Sequence, residues 1–425
     1  MDETHVVTCF LRNRGEVLLL RRSEEVGSYP GKWGGIAGHA EGDPNRAARE
    51  EIEEETGLLD ACSLAREGVT FEFDDSDLET RWVVHPYLFD CDRRDPRTDW
   101  ETAEFEWVHP TEMLRRETVP QLWTSYSRVG PTIQQLAGDS DHGSAYLSVR
   151  ALEVLRDRAG SFAERDPDPE RWPQLAAIAE RLLDARPSMA VVGNRVNRAM
   201  SEAAEDGGKT ASAVEEAARE GIERAFRADE EAAENAADEV RGASVLTLSR
   251  SGTVLDALPA ADRVLVAESR PAREGVGVAE ELARMEDAPD VALLTDAAIG
   301  HVLATEEVDA VVVGADAVLP DGRVVNKTGT RAAAVAATRE GIDCYAVAAS
   351  DKIRTDDEVH LEDGDPGEVY DGDTGIEVLN PTFDVTPADA VSGVITERGV
   401  LNVEEIGEVD RELQRFSGWR DEECE

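Results

Sequence analysis

The sequence predicts an α+β domain, then a helical subdomain, then an α/β domain with a parallel sheet. Three observations support this order. Short alternating apolar segments with turn signals fill roughly the first 130 residues, and apolar residues at helical spacing fill residues 144–237. From Ser244 onward, continuous β-branched runs alternate with helical stretches. At 425 residues and 41% hydrophobic content, the chain is long enough for two or three domains with their own cores.

The first domain, residues 1–130, begins with a β-hairpin. VVTCFL and EVLLLRR flank the turn signal Asn13–Gly15. A helix is predicted over Pro44–Glu55, with Asp43 as the N-cap and Pro44 in the first helical position. Strands are predicted at VTFEFD, RWVVHPYLFD and FEWVHP, and Thr111–Leu114 opens a further helix.

Residues 131–142, which include most of GDSDHGS, are expected to be a linker. Residues 143–240 then read as helices, in AYLSVRALEVLRDRA, WPQLAAIAERLLDA and a long Ala/Glu stretch. Residues 241–425 carry the apolar runs SVLTL, RVLVA, VALLT, AVVVG and CYAVAA. Such runs are typical of parallel strands covered on both faces, which predicts a ligand site at their carboxyl ends.

The charge of the chain excludes one class of function. There are 91 acidic against 44 basic residues, giving a net charge of −47, and only four lysines (Lys32, Lys209, Lys327 and Lys352). This composition resembles that of proteins from extreme halophiles, in which salt screens the self-repulsion. Nucleic-acid binding needs a basic surface, which this composition lacks, so we expect no direct contact with nucleic acid.

The cysteines and the N-terminus suggest a cytoplasmic protein. The five cysteines include no CxxC pair, and they do not form the even-numbered set that a framework of disulfides requires. This cysteine usage suits a reducing compartment. MDETHVVTCFL lacks the basic and apolar parts of a signal peptide, and no apolar run approaches the ~20 residues that span a bilayer. We therefore expect no membrane contact.

The stretch AAREEIEEETGL is a candidate metal site. Glu51, Glu54 and Glu55 have the spacing that places side chains on one face of a helix. Hard cations such as Mg²⁺ are held by a few carboxylates together with substrate phosphates. In so acidic a chain, however, a glutamate run can also be solvated surface, so the flanking residues have to decide.

Those flanks resemble the signature box of Nudix hydrolases, which cleave diphosphates linked to another moiety. The resemblance covers about residues 1–130. AEFEWVHPTEML is similar to the closing strand and helix of that family. The matching box residues are Trp33, Gly38, His39 and Glu41 in the glycine loop, and Ala47, Ala48, Glu51, Ile52, Glu54, Glu55, Thr56 and Gly57 in the helix.

The resemblance implies a catalytic Mg²⁺ or Mn²⁺ ion held by Glu51, Glu54 and Glu55, with the Gly38 carbonyl completing the site. Such an ion polarises the diphosphate and lowers the pKa of the attacking water. Glu101 or Glu104 is a candidate further ligand or base.

Two departures from the box bear on activity. The loop between Glu41 and Pro44 is about two residues shorter than usual. The position that normally holds an arginine is Glu50, and Arg49 is displaced by one residue, about 100° round the helix. That arginine normally orients a catalytic glutamate, so its loss is expected to lower activity and leave the fold intact.

Polar residues follow the predicted strands of the α/β domain, which favours a phosphate site. NKTGT, at Asn326–Thr330, offers amides, hydroxyl groups and Lys327 near a helix N-terminus. Two of the four lysines belong to this set. The residues at the strand ends are Ser249, Arg250, Ser251, Glu268, Ser269, Arg270, Asp296, Asp316, Ser350, Asp351 and Lys352.

This region resembles the family that unites the α, β and δ subunits of translation initiation factor 2B with methylthioribose-1-phosphate isomerase and ribose-1,5-bisphosphate isomerase. The likeness covers about residues 143–415 and rests on ESRPAREG, GADAVLPDGRVVNKTGT and NPTFDVTPADAVSGVITERG, with GSAYLSVRALEVL and RPSMAVVGNRVNRAM in the helical part. It implies a helical subdomain, a Rossmann-like sheet domain, and homo-oligomers built through that domain.

The resemblance also implies site residues. The isomerases use a cysteine and an aspartate for proton transfer. Asp316 matches the aspartate, whereas Ser249 stands at the cysteine position, and serine does not ionise near neutral pH. The loop TLSRSGTV looks more like the non-catalytic subunits. A small phosphorylated ligand, a sugar phosphate or a nucleotide, would be bound by Arg250, Ser251, Arg270, Asn326, Lys327, Gly329, Thr330 and Lys352.

Three functions remain open. The chain is a Mg²⁺-dependent Nudix hydrolase with a ligand-sensing module, a ribose-phosphate isomerase that tolerates Ser249, or a regulatory protein resembling the translation factor subunits. We favour the first, because a hydrolase that releases phosphorylated nucleosides or sugars would lie on the same chain as a domain that binds them.

Overall fold

The computed structural model describes residues 2–40, 42–139, 142–164, 171–205, 208–359 and 361–424. Glu41, which the sequence assigned to the glycine loop, lies outside the described residues. The chain forms two compact units. The first comprises Met1–Gly138, Arg150–Leu175 and Asp206–Ile222, and the second comprises Asp139–Val149, Ala176–Glu205 and Glu223–Glu425.

A mixed sheet of eight strands forms the centre of the first unit. The strands are β1 (Asp2–Asn13), β2 (Glu16–Arg22), β3 (Trp33–Gly34), β4 (Ile36–His39), β5 (Cys62–Glu67), β6 (Phe71–Asp75), β7 (Thr80–Cys91) and β8 (Thr102–Val108). The central strand order is β3-β2-β1-β7-β5, with β4 paired to β1, β6 to β7 and β8 to β2. Strands β1 and β7 are parallel, and the other pairs are antiparallel.

The predicted hairpin is confirmed. Asn13 pairs with Glu16, and the two residues between them have positive φ, +51° at Arg14 and +79° at Gly15. A two-residue loop of this kind matches the right-handed twist of the flanking strands, and glycine favours it because it has no Cβ.

Helix α1 (Pro44–Thr56) agrees with the prediction to within one residue. The Asp43 carboxylate accepts a hydrogen bond from the Asn45 backbone N–H at 3.0 Å, and Pro44 occupies the first turn. Ala47, Ala48 and Ile52 are buried against the sheet, so the glutamates lie on the other faces of the helix. A short 3₁₀ helix, Pro110–Leu114, and helix α2 (Leu122–Val129) follow the last strand.

Four long helices follow α3 (Ile133–Gly138), which lies within the segment expected to be a linker. They are α4 (Ser144–Ala163), α5 (Arg171–Ala185), α6 (Ala190–Glu205) and α7 (Ala211–Val240). Of the linker, Ser140 and Asp141 lie outside the described residues.

Parts of these helices belong to the first unit and share a polar cluster with its sheet. An Arg12 Nη1 lies 3.3 Å from Glu153 Oε2, and the Tyr126 hydroxyl donates to Asp157 at 3.0 Å. Arg156 donates to the Gly15 carbonyl at 2.6 Å. We call this set the Glu153 cluster: Arg12, Tyr126, Glu153, Arg156 and Asp157. Arg12, Tyr126, Glu153 and Arg156 are each at most 4% exposed, so the charges depend on one another for solvation.

A seven-stranded sheet forms the centre of the second unit. The strand order is β11-β10-β9-β12-β15-β17-β18, parallel except for the β17–β18 pair. Its strands are β9 (Ser244–Leu248), β10 (Arg263–Ala267), β11 (Asp290–Leu294), β12 (Ala310–Gly314), β15 (Asp343–Val347), β17 (Gly393–Thr396) and β18 (Gly399–Leu401). The five apolar runs of the sequence are thus confirmed as strands, and apolar clusters on both faces explain their continuous character.

Smaller elements complete the second unit. A three-stranded antiparallel sheet contains β13 (Ala317–Val318), β14 (Val324–Lys327) and β16 (Phe383–Thr386). The helices are α8 (Gly252–Ala257), α9 (Glu274–Ala283), α10 (Ile299–Thr305), α11 (Thr330–Glu340) and α12 (Val403–Arg415).

Among the described helices, none combines the length and the apolar character needed to cross a membrane.

Candidate functional site

Helix α1 and strand β4 pack so that two of the predicted metal ligands, Glu51 and Glu55, lie against the strand backbone. The backbone of Gly38 lies against the Glu51 carboxylate so closely that a Cβ on Gly38 would overlap its oxygens. One turn further along, Glu55 accepts a hydrogen bond from the Ala37 backbone N–H at 3.2 Å. Glu54 lies on the exposed side of the same helix. The strand therefore fixes two of the three carboxylates.

These carboxylates are held in an unfavourable electrostatic environment. Burial raises the pKa of Glu51, and the neighbouring charges of Glu54 and Glu101 raise it further. Burial also raises the pKa of Glu55 to about 8, although the Ala37 hydrogen bond acts in the opposite direction. Since a nearby cation favours the ionised form of a carboxylate, this is the environment in which a cation is stabilising.

Glu51 and Glu54 line a cavity of about 690 Å³ in the first unit. Glu101 also lines it, whereas the exposed Glu104 pairs with Arg21 at 3.4 Å. Of the two candidates for a further ligand or base, Glu101 is the one that lines the cavity. The remaining lining residues are Val6, Thr8, Arg22, Val26, Gly27, Ser28, Tyr29, Ala37, Gly38, His39, Phe73, Leu78, Thr80, Trp82, Val84, Trp100, Val119, Pro120, Leu122 and Ser125.

The donor set has the chemistry of a hard-cation site. Carboxylate and carbonyl oxygens are the ligands that Mg²⁺ prefers. In the described part of the chain, no group of three His, Cys, Asp or Glu residues is already arranged as a metal cage. If bound here, Mg²⁺ would be held by oxygens of these residues, and substrate phosphates would complete its coordination.

The two residues at the altered box position point elsewhere. The Arg49 guanidinium lies 5.8 Å from the centroid of the Phe89 ring, and Glu50 lies 3.6 Å from Arg46 on the exposed side of the helix. Neither residue lines the cavity.

The sequence reasoning missed Arg22, which is the last residue of β2 and belongs to no motif. It lines the cavity, and its charge lowers the pKa of Glu55. Its Nε donates to the Ser28 carbonyl at 2.8 Å, which holds the side chain in the loop after β2. The aromatic lining residues Tyr29, Trp82 and Trp100 were also missed.

A second cavity, of about 410 Å³, contains two of the predicted phosphate ligands. Arg270 and Lys327 both line it. The Lys327 ammonium pairs with Glu274 at 2.7 Å, which leaves Arg270 as the more exposed cation. The other lining residues are Pro271, Thr328, Gly364, Glu368, Val369, Leu379, Asn380, Pro381 and Thr382.

The predicted convergence at the ends of strands β9, β10 and β11 is seen in their hydrogen bonds. Ser249, with φ of +63°, donates its backbone N–H to the Ser269 hydroxyl at 2.5 Å. The backbone N–H groups of Ser269 and Arg270 donate to Asp296 at 2.8 and 2.7 Å. Three strand ends thus form one connected edge.

Two other predicted ligands are engaged locally. Ser251 caps helix α8, its hydroxyl accepting from the Val254 backbone N–H at 3.4 Å. Arg250 is exposed and pairs with Glu281 at 2.8 Å.

Asp316 lies beside two lysines. Burial raises the pKa of its carboxyl group, and the charges of Lys352 and Lys327 oppose that shift. Lys352 donates to the Ala315 carbonyl at 2.7 Å. The Asn326 amide donates to the Thr330 hydroxyl at 2.8 Å.

Asp351 has a structural environment instead. Arg195 and Arg198 each lie 3.1 Å from its carboxylate in the interior of the second unit. Its position next to Lys352 in the sequence therefore does not make it part of the ligand site.

Two backbone amides of NKTGT, those of Thr328 and Gly329, already have hydrogen-bond partners. The Asp384 carboxylate accepts from Gly329 at 2.8 Å and from Arg331 at 3.1 Å. The Thr328 amide donates to the Thr382 carbonyl at 3.0 Å. A carboxylate from β16 thus occupies the start of α11, where the helix dipole favours an anion.

Comparisons with known proteins give two family matches. The model of the initiation factor 2 subunit family matches residues 140–403, and the NUDIX domain model matches residues 2–129. Methylthioribose-1-phosphate isomerase from Carboxydothermus hydrogenoformans is 37% identical over 176 residues, 37% of this chain and 51% of that protein. The chain spans about half the length of the curated relatives it matches.

Solved structures are similar in fold. The crystal structure of translation initiation factor eIF-2B from Pyrococcus horikoshii OT3 is 26% identical, with a TM-score of 0.52, covering 63% of this chain and 94% of that one. The tetrameric eIF2B-beta2-delta2 complex from C. thermophilum is 22% identical, with a TM-score of 0.52, covering 66% and 92%. At 22% identity, the similarity to the tetrameric complex concerns the fold alone.

Proposed function

Because the chain belongs to the initiation factor 2 subunit family and carries an N-terminal NUDIX domain, we propose that it is a two-module protein in which a metal-dependent hydrolase accompanies a binding module for phosphorylated ligands. The hydrolase would cleave a nucleoside diphosphate-linked compound or a sugar nucleotide. The proposed division is residues 1–130 for the hydrolase, 131–142 for the linker, 143–240 for a helical subdomain and 241–425 for a Rossmann-like domain.

One observation carries the hydrolase proposal. Glu51 and Glu54 line a large cavity, and the Glu51 carboxylate, whose pKa is raised, lies next to the Gly38 backbone. Glu51, Glu54 and Glu55 would hold Mg²⁺ or Mn²⁺, with the Gly38 carbonyl as a further ligand. When bound, the ion polarises the diphosphate and lowers the pKa of a water molecule.

The chain's own residues would orient the substrate. Arg22 places a guanidinium in the cavity, where it can bind a phosphate oxygen. Glu101 lines the same cavity and is a candidate for accepting the proton of the attacking water. Neither role uses the displaced Arg49, so the altered box position does not by itself remove the catalytic groups.

The second module would bind a sugar phosphate or a nucleoside monophosphate. Arg270 and Lys327 share a cavity, and Asn326 directly precedes Lys327 in β14. The charges of Lys327 and Lys352 act on the Asp316 carboxyl group. A homo-oligomer through this module, and a cytoplasmic location, remain part of the proposal. The family match supports the oligomer, and the five cysteines without a CxxC pair support a reducing compartment.

An isomerase is the second candidate function. It is favoured by the identity to methylthioribose-1-phosphate isomerases and by Asp316, whose environment suits proton transfer. Ser249 is the residue against it, since a hydroxyl group is a much weaker acid than a thiol. A purely regulatory role predicts a stable oligomer without turnover at either site.

The test is phosphate release from the full chain in molar KCl with Mg²⁺. The panel holds nucleoside di- and triphosphates, ADP-ribose and other sugar nucleotides, each coupled to a phosphatase. We expect turnover that Glu54→Gln reduces by at least ~10²-fold, as for the loss of a metal ligand. Glu104→Gln is the matched control, because this exposed glutamate does not line the cavity. Absence of turnover with every compound would contradict the proposal.

A further inference from the structure

Two histidines meet on neighbouring strands of the first unit. The Nδ1 atom of His5, in β1, lies 3.1 Å from the Nε2 atom of His85, in β7. The two strands are parallel, and their register makes these residues diagonal neighbours on one face of the sheet. Val6 and Val84, whose side chains point to the opposite face, line the cavity beside helix α1, whereas neither histidine does. The histidine pair is therefore separate from that cavity.

The separation of the two nitrogens fits two ligands of one metal ion. Imidazole nitrogens bind Zn²⁺ at about 2.0–2.1 Å, so two of them lie about 3 Å apart when the angle at an ion is about 90°. The ring centroids are 5.4 Å apart and the ring planes differ by 22°, so the rings lie edge to edge. The His5 side chain is 45% exposed, which leaves it room to turn so that both nitrogens face one point on the solvent side.

Each ring is also held by its other nitrogen. His5 Nε2 lies 3.4 Å from Glu3 Oε1, and His85 Nδ1 lies 3.1 Å from the Thr70 hydroxyl oxygen. Histidines that bind metals generally donate their second ring N–H to an oxygen acceptor, which fixes the tautomer and the ring orientation. A hydroxyl group both donates and accepts, so His85 can take the metal-binding tautomer and keep Thr70 as its partner. Both rings thus have the outer partners of metal ligands.

The local charges favour a neutral pair and a bound cation. Burial lowers the pKa of His85, and the charge of His5 lowers it further, although Glu67 acts in the opposite direction. Neutral imidazole is the form that binds metals. Glu3 and Glu67 add negative charge beside the pair, which attracts a cation.

The two histidines supply only part of an ion's coordination. Within the described ranges, no group of three His, Cys, Asp or Glu residues forms a metal cage, so water would take the remaining positions. Imidazole nitrogen suits Ni²⁺, Cu²⁺ and Zn²⁺, and affinity for such ligands is highest with Cu²⁺. Mg²⁺ prefers oxygen ligands and should not compete.

We propose that His5 and His85 form a binding site for a divalent transition-metal ion of the kind that prefers imidazole ligands. The site is separate from the Mg²⁺ or Mn²⁺ site proposed at helix α1, and it does not depend on the proposed hydrolase. An ion bound by both rings joins β1 to β7. Because the two strands meet only in the folded chain, binding of the ion stabilises the first unit.

The test is a calorimetric titration of Ni²⁺ into the full chain, in molar KCl with an excess of Mg²⁺ to occupy carboxylate sites. Ni²⁺ is the probe because, unlike Cu²⁺, it does not oxidise thiols. His5→Asn and His85→Asn should each lower Ni²⁺ affinity by at least ~10²-fold, since losing even an outer partner of a ligand costs about 10- to 100-fold. Glu3→Ala, which removes only such a partner, should lower the affinity by about 10-fold.

His142→Asn is the matched control. This histidine is 47% exposed, close to the value for His5, and it also lies beside a carboxylate, with Nδ1 2.9 Å from Asp139. Its replacement should leave Ni²⁺ affinity unchanged. Equal affinity in the wild type and His85→Asn would overturn the proposal, and so would a wild-type chain without a saturable Ni²⁺ site.

Two further measurements separate metal binding from a structural role of the pair. In proton NMR spectra, bound Ni²⁺ should shift two imidazole N–H signals, those of His5 Nε2 and His85 Nδ1, and His5→Asn should remove both. The Tm of the wild type should rise with Ni²⁺ concentration, whereas that of His85→Asn should not. An equal rise in both chains would place the ion elsewhere and contradict the proposal.

Discussion

The Gly38 backbone and the Glu51 carboxylate lie in direct contact, with no room between them for even one methyl group. The contact joins strand β4 to helix α1 at the proposed metal site. It gives the glycine of the motif a physical reason, because any other residue would displace the carboxylate.

Gly38→Ala should therefore abolish most hydrolysis while the fold remains. A Cβ at this position forces Glu51 away from its place, so we expect kcat to fall by at least ~10-fold, as displacements near an active site do. Gly138→Ala, where a Cβ meets nothing within 4 Å, is the control and should behave as wild type. Full activity of Gly38→Ala would exclude Glu51 as a fixed ligand.

Glu153 should matter greatly for stability. Its side chain is fully buried and pairs with Arg12 and Arg150 at 3.3 and 3.1 Å. Glu153→Gln removes the carboxylate that pairs with these two guanidinium groups; although Arg12 keeps its pair with Asp90, breaking a buried ion pair costs about 3–5 kcal/mol. Urea unfolding in molar KCl measures the loss. Glu164→Gln removes an exposed partner of Arg115 and should cost less than about 1 kcal/mol; similar values for the two variants would contradict a buried ion cluster.

Asp351 should give the second unit an acid-sensitive component of stability. Burial acts to raise the pKa of Asp351, but the charges of Arg195 and Arg198 outweigh it and hold that pKa below its usual value. A depressed carboxyl pKa contributes stability above the pKa of the unfolded chain, and the contribution is lost as pH falls through the folded value.

Asp351→Asn should accordingly lower the free energy of unfolding by about 3 kcal/mol at pH 7. The difference from wild type should narrow only below about pH 4, where Asp351 binds a proton in the unfolded chain before it does so in the folded one. Chemical unfolding at several pH values measures both curves. A difference that stayed constant down to pH 2 would show that Asp351 stabilises through packing and not through charge.

Asp384 should limit phosphate binding at the start of α11. Its carboxylate occupies the amides of Gly329 and Arg331, so Asp384→Asn removes a negative charge and keeps one acceptor oxygen. We expect a loss of about 0.5–1 kcal/mol in stability, from weaker helix capping. Inorganic phosphate, titrated calorimetrically, should bind more tightly to the variant. Weaker binding would mean that Asp384 orients the ligand site.

Cys62 and Cys91 should form a disulfide under oxidising conditions. They lie directly opposite each other in the antiparallel β5–β7 pair, where facing residues generally have Cα atoms about 4.5–5.5 Å apart, a range that suits a disulfide. A hydrogen bond from Cys62 lowers the pKa of Cys91, which increases its thiolate fraction. Hydrogen peroxide should oxidise the two thiols to one disulfide, with two waters released. Mass spectrometry detects the loss of two hydrogens, and Cys62→Ser should prevent it.

Local features could be predicted from the sequence, because neighbouring residues determine them. The hairpin at Arg14 and Gly15 and the capped start of α1 at Asp43 depend on a few adjacent residues. The parallel strands were also visible, since burial on both faces requires continuous apolar runs. Of these elements, the helix that begins after Asp43 is the one that carries Glu51, Glu54 and Glu55.

Contacts between distant residues could not be predicted. Asp384 caps Gly329 from 55 positions away in the sequence, and no local pattern links a carboxylate on one strand to the start of a helix. The aromatic lining of the first cavity could not be predicted for the same reason, because Tyr29, Trp82 and Trp100 come from three separate segments. The choice of Glu101 over Glu104 also needed the fold, which directs Glu104 towards Arg21.

The Glu153 cluster has a consequence for attempts to produce the NUDIX domain as a separate fragment. The two family matches end and begin at residues 129 and 140, which invites cutting the gene there. Such a cut would leave Arg12 and Tyr126 in one fragment and Glu153 and Asp157 in the other, each exposing the partners that it had solvated. A fragment that keeps the first unit intact would have to include the helical segments Arg150–Leu175 and Asp206–Ile222. The boundary between the two family matches is therefore not the boundary between the two compact units.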